Sequence, residues 1–260
     1  MADHRGILNP DEGFEHFRLD RQPPAPDLAP FVEQHWVVAW DLRGREPYTS
    51  EVLPYPSFHL VVEGGGTFLY GVGADRFSRR LEGHGRAVGV KFVPGGAHPF
   101  LGGAPAWELT DRSVPAREAF GADVPVRADA AEQIAATEAF LRERLPPPDP
   151  EVAFIGAVVA TMAAEPALSV AAVAERHGVS ARTLQRLFRR CVGVSPKWVL
   201  QRNRVQEAAQ RVDADGAAAA AATAQELGYF DQAHYINDFR AAVGRSPGRY
   251  ANDNDATNGG

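Results

Sequence analysis

The 260-residue sequence is poor in sulfur, with one cysteine, Cys191, and two methionines. A single cysteine cannot close an intramolecular disulfide or build a cysteine-only zinc site. That usage fits a reducing compartment. Long apolar runs are also missing: no stretch approaches the roughly 18 apolar residues a membrane helix needs. Residues 1–20 are polar and lack the apolar segment of a secretory leader. The cytoplasm is the expected location, and no membrane is expected as a partner. A basic surplus is absent as well. The net charge of -6 does not by itself point to nucleic acid.

What is present is an ordinary globular composition, 45% hydrophobic and 23% charged, in a chain long enough for two medium domains. Residues 1–30 are polar and proline-rich and predict an irregular lead-in. Residues 31–127 carry short apolar runs between glycines and prolines: Trp36–Trp40, Phe58–Val62, Thr67–Tyr70 and Ala87–Val93. Aromatic and β-branched residues between turn signals predict strands, hence a β-rich sandwich or small barrel. Residues 128–166 predict a helical connector. Its two helices, Ala130–Leu145 and Glu151–Ala164, are separated by the breaker Pro146–Pro150. Residues 167–251 predict an all-α unit, and residues 252–260 a disordered polar tail. The fold class is multi-domain α+β.

The helical unit contains an internal repeat. Ala174–Gly178 matches Ala224–Gly228 at an offset of 50, and beyond the turn the offset becomes 51. Ser180 then matches Asp231, Leu184 matches Tyr235, and Phe188 matches Phe239. Val192-Gly193 matches Val243-Gly244, and Ser195-Pro196 matches Ser246-Pro247. Each copy reads as a short helix ended by glycine, a tight turn, and a second helix capped by Ser180 or Asp231. That is a helix-turn-helix.

In the first copy, Leu184, Leu187, Phe188 and Cys191 follow the spacing of a buried helix face. Arg182, Gln185, Arg186 and Arg189 occupy another face. Arginine and glutamine suit bidentate contacts to guanine and adenine edges in the major groove. A solvated basic face is the alternative, and the duplicated cap-and-core pattern decides against it. Residues 167–212 carry nine Lys/Arg against two Asp/Glu, a local +7, whereas 213–251 sum to -2. A basic cluster in an acidic chain is a footprint for phosphates.

Together these residues resemble the AraC/XylS family of transcription regulators. The most specific segments are Glu226–Phe239 with Val243–Pro247 and Tyr250, and Gly178–Phe188 with Gly193–Pro196. The resemblance spans about Leu168 to Tyr250. It implies seven helices, a long helix near Lys197–Val212 between the two units, and two recognition helices in successive major-groove segments. Arg182, Gln185 and Arg186 are the implied base readers of the first, with Arg189 beside them. Gln232, Ala233, Ile236 and Asn237, with Arg240, lie on the corresponding face of the second. Ala233 and Ile236 offer only apolar contact, and the alanine run 217–222 implies a thin core for the second unit.

Leu53–Val61 and Gly89–Gly96 resemble more weakly a cupin-like sensor domain. That likeness implies a small-molecule effector or a homodimer; the helix-turn-helix resemblance implies double-stranded DNA as partner, with RNA polymerase as a candidate further one. Trp36, Trp40, Tyr55, Phe58, Phe92 and Trp107 are candidates for lining an apolar pocket, with core packing as the alternative. His59, His84 and His98 lack the paired His-x-His spacing of a cupin metal site, so no metal, cofactor or catalytic residue is expected, and the chain does not read as an enzyme. A DNA-repair alkyl acceptor is excluded by the lone, core-facing Cys191.

Overall fold

The computed structural model describes residues 6–222 and 224–258. The N-terminal part contains α1 (Pro10–His16), β1 (Arg18–Gln22), β2 (Val32–Asp41), β3 (Tyr48–Val52), β4 (His59–Glu63), β5 (Gly66–Tyr70), β6 (Phe77–Leu81), β7 (His84–Phe92), β8 (Ser113–Pro115) and α2 (Ala116–Phe120). Two short 3-10 helices, His98–Leu101 and Ala106–Leu109, lie between β7 and β8. The strands form an antiparallel six-stranded sheet in the order β1-β2-β7-β4-β5-β8, and β3 pairs with β6 in a second sheet. The β4–β5 hairpin turns on Gly64 and Gly65, with φ of 55° and 80°. A two-residue turn that needs positive φ at both positions selects glycine.

The two faces of the larger sheet differ. Leu60, Val62, Leu69 and Val90 point into the main core. On the other face Trp36 lies over Gly89, its cross-strand partner, where a Cβ would sit 2.2 Å from the indole. Val38 and Trp40 continue that face and pack with Phe17, Leu42 and Leu81 toward the small sheet. Phe58 and Phe92, candidate pocket residues by sequence, are core: they are buried with the opposite face.

Helices follow: α3 (Ala130–Arg142), α4 (Pro150–Ala164), α5 (Val170–Arg176), α6 (Ala181–Cys191), α7 (Pro196–Ala222), α8 (Gln232–Val243) and α9 (Pro247–Asn258). Asp129 and Asp149 cap α3 and α4 by accepting backbone N–H groups. Helix α3 is pinned to the sheet by Glu138, which accepts from the Ala25 N–H at 2.9 Å and meets His35 Nε2 at 3.0 Å. Burial holds the His35 pKa below its usual value. Helix α7 breaks at Gly216 (φ 82°, ψ 168°), so the alanine run 217–222 is a separate short helix. Counting α7 as two helices, α5 to α9 make six of the seven that the resemblance implies, and α4, which precedes the matched segment, is the seventh helix of this half.

Apolar packing crosses the expected boundary at residue 167. One core joins Phe58, Leu60 and Phe92 of the sheet, Val152, Ile155, Val159 and Met162 of α4, and Leu184 and Phe188 of α6. A second core holds Val205, Val212, Leu227, Tyr229, Tyr235, Phe239 and Tyr250, with Leu8 and Leu53 from the N-terminal part. Away from the alanine run, the second unit has an aromatic core. Tyr229, Tyr235, Phe239 and Tyr250 form successive edge-to-face ring pairs with centroids 5.4 to 6.0 Å apart. Such pairs contribute beyond their burial. The side chains of 218–221 lie outside the described residues.

Both ends depart from the sequence reading. The lead-in contains α1 and β1, because Leu8 and Phe17 are buried anchors within a polar segment. Residues 252–258 of the tail, expected to be disordered, continue α9, and residues 259–260 lie outside the described residues. Strands β3 and β6 also lie outside the sequence expectation: they are mostly polar, β3 half-buried and β6 exposed, and so lack the apolar runs that mark a strand.

Candidate nucleic-acid interface

The two capped helices are α6 and α8. Ser180 Oγ accepts from the Thr183 N–H at 3.1 Å, and an Asp231 carboxylate oxygen accepts from the His234 N–H at 2.7 Å. Their preceding turns place Gly178 and Gly228 at φ of 69° and 80°. On α6, Leu184, Leu187, Phe188 and Cys191 are buried, as their spacing predicts. Burial pushes the Cys191 thiol up to about 11, which keeps it protonated and unreactive. On α8, Tyr235, Phe239 and Val243 are fully buried.

The predicted readers fall on the opposite faces. Arg182, Gln185, Arg186 and Arg189 are all exposed on α6. Gln232, Ala233, Asn237 and Arg240 are exposed on α8, but Ile236 is half-buried against the second core. Ile236 therefore serves packing at least as much as any contact to a base.

The cations of residues 167–212 divide sharply. Arg176 pairs with Glu165, Arg190 with Glu151 at 2.6 Å, and Arg211 with Glu207 and Glu226 at 3.1 and 3.0 Å. Arg204 caps the carbonyls of Pro166 and Leu168, at 2.7 and 3.3 Å. Arg202 is buried, donates to the Ala74 carbonyl at 2.6 Å, and desolvation lowers its pKa to about 10. Four have neither an ion pair nor a hydrogen bond among the described residues: Arg182, Arg186, Arg189 and Lys197. All four lie on α6 or at the start of α7. Lys197 was not among the sequence-predicted readers, because its position past the recognition helix carries no pattern.

The N-terminal part grips the end of each recognition helix. Thr110 Oγ1 donates to the Gly193 carbonyl at 2.8 Å, just past α6. Arg76 donates to the Val243 carbonyl at the end of α8 and pairs with Glu51 at 3.2 Å. Glu51 also meets Arg245 at 3.6 Å, and the Asn9 N–H donates to the Tyr250 hydroxyl at 3.2 Å. The Thr110 and Arg76 contacts fall on the matching Val-Gly turns of the two repeats. Unpaired carbonyls at a helix end attract donors and positive charge, so each grip also completes a helix terminus.

Elsewhere, His59 accepts from the Trp36 indole N–H at 3.1 Å through Nδ1, and burial pushes its pKa down to about 3. It is a neutral hydrogen-bond acceptor in the sheet. No group of three or more His, Cys, Asp or Glu is placed to hold a metal among the described residues. No helix of the described residues is long and apolar enough to cross a membrane.

Two capped recognition helices joined by a long helix define the class of double helix-turn-helix DNA-binding proteins. Residues 173–253 match the family described as a helix-turn-helix domain, and residues 20–115 match a domain of unknown function (DUF6597). The chain thus couples a β-rich N-terminal domain to a helix-turn-helix domain. Among solved structures it is similar to ToxT from Vibrio cholerae O395, at 9% identity and a TM-score of 0.41, covering 91% of this chain and 97% of that one. It is also similar to unsaturated fatty acid bound wild-type ToxT from Vibrio cholerae strain SCE256, at 8% identity and a TM-score of 0.39, covering 91% and 95%. No curated protein matches the chain.

Proposed function

We propose that this protein is a sequence-specific DNA-binding transcription regulator in which α6 is the main reader of base sequence. The observation that carries this reading is the set of four cations around α6 that have no ion-pair or hydrogen-bond partner among the described residues, Arg189 lying over the Trp107 ring. Internal ion pairs and carbonyl caps consume the other arginines of the segment, so this face is where the positive charge is available to phosphates and base edges. Arg182, Gln185, Arg186 and Arg189 face the first major-groove segment. Gln232, Ala233, Asn237 and Arg240, flanked by Ile236, face the second.

The N-terminal domain is the regulatory half in this reading. Trp36, Trp40, His59, Tyr70 and Lys91 are half-buried on the sheet face opposite the main core. A mixed aromatic and polar face of that kind suits a small-molecule effector. Homodimerisation through this half and contact with RNA polymerase complete the proposal. Selection of the full chain against a random duplex pool tests it: a defined motif is expected, and recovery of no motif overturns it. Sedimentation at micromolar concentration tests the dimer, and monomer alone, with and without DNA, removes it.

A further inference from the structure

The two helix-turn-helix units are built on different apolar cores. Val173, Leu184 and Phe188 of the first lie in the core shared with the sheet, and Leu227, Tyr235 and Phe239 of the second lie in the other. Helix α7 passes between them: Val199 and Leu200 belong to the first core, Val205 and Ala208 to the second. Arg204 sits at that crossing and is half-buried. Its Nε donates to the Pro166 carbonyl at 2.7 Å and its Nη2 to the Leu168 carbonyl at 3.3 Å, both just ahead of α5. Its Nη1 donates to the Gly228 carbonyl at 3.5 Å, in the turn that leads into α8. The two backbones also approach closely there: a Cβ on Gly228 would lie 2.9 Å from Ala167 Cα and 3.3 Å from Arg204 Nη2. One planar guanidinium therefore joins the leading segment of the first unit to the turn of the second.

We infer that Arg204 is a positioning residue that fixes the distance and phase between the recognition helices α6 and α8, and with them the spacing of the two base segments that one molecule accepts. The guanidinium is a rigid, planar fork of donors, so the carbonyls bound to it hold a set geometry that a flexible ammonium cannot impose. The grips on Gly193 and Val243 tie each unit to the N-terminal domain, not to the other unit. Loss of Arg204 leaves α7 as the covalent joint and frees the Gly228 turn to rock against Ala167. Rigidly held modules gain affinity at one spacing and lose it at others, whereas loosely joined modules adapt to several. The spacing step, but not the joint itself, rests on the DNA-binding reading above.

Binding of the full chain to its selected duplex, and to derivatives with one or two base pairs inserted between the two recognised segments, tests the inference. Each inserted pair turns one segment about 35° around the duplex axis relative to the other. The wild-type chain should lose at least about tenfold in affinity per inserted pair, as for a mismatched base pair. Arg204→Met should bind the original spacing about tenfold more weakly and lose less than about threefold on insertion. A general loss of stability would weaken every spacing alike and leave that ratio unchanged. Arg204→Lys keeps the charge without the fork; it should fall between, and it decides the matter if Arg204→Met does not fold. Spin labels on Arg186→Cys and Asn237→Cys read the same joint without DNA, since Cys191 is buried. Their distance distribution in the full chain should be narrow, and broader once Arg204→Lys is added. An insertion penalty as steep in the variants as in wild type, or label distributions of equal width, overturns the inference. If no duplex is selected at all, the DNA-binding reading fails while the label distances still decide whether Arg204 holds the units together.

Discussion

Replacing Arg186 with alanine isolates the reading function of α6. The side chain is exposed and has no ion-pair or hydrogen-bond partner among the described residues, so its removal breaks no bond seen there. Stability should change by less than about 0.5 kcal/mol, as for surface substitutions generally. A bidentate arginine–guanine contact gives about 1–3 kcal/mol of discrimination. Affinity at the selected site should therefore fall about 10- to 100-fold, with relaxed preference at one base pair. Asn237→Ala on α8 should cost less. Its neighbour Ala233 is too short to reach far, Ile236 is turned partly inward, and residues 213–251 sum to -2. Titrations of both variants against single-base changes in the site decide the matter. A larger loss of affinity and specificity for Asn237→Ala than for Arg186→Ala refutes the unequal division of labour.

Further outcomes follow from the same geometry. Ser180→Ala and Asp231→Ala each remove the acceptor at a recognition-helix N-terminus and should lower unfolding free energy by about 1 kcal/mol in urea titrations; no change in either sinks the capping account. Cys191 should resist a thiol reagent in the native protein and react only on unfolding, so prompt native labelling contradicts its placement. His59 is held neutral in the fold, with its pKa lowered to about 3, while the unfolded chain titrates near the ordinary value of 6.5. The unfolded state then binds the extra proton as pH falls from about 6.5 toward 3, so this residue's contribution is full above that window and is lost across it. His59→Gln should flatten that slope in urea midpoints measured at stepped pH, and an unchanged slope would remove His59 as a cause.

The repeat made the two helix-turn-helix units legible because their needs are local. Ser180 and Asp231 cap the helices they precede, and Leu184, Phe188, Tyr235 and Phe239 face the cores their spacing assigns. Charge was legible only as a sum. The +7 includes Arg176 and Arg190, whose partners Glu165 and Glu151 lie outside the counted segment. The polar strands β3 and β6 carry no apolar pattern because neither is buried: β3 is half-buried and β6 is exposed except at Leu81. The grips of Thr110 and Arg76 join residues 83 and 167 positions apart, and no periodicity encodes such pairs. The aromatic rings of the second core were individually visible, but their mutual stacking depends on α7, α8 and α9 meeting in space.

Hydroxyl-radical footprinting of the full chain on its selected duplex tests most directly whether both recognition helices read DNA. Two units on one body predict two protected segments about 10 base pairs apart on one face of the duplex. Arg186→Ala should erase protection of one segment before the other. A single protected segment, or uniform protection that does not depend on sequence, contradicts the account.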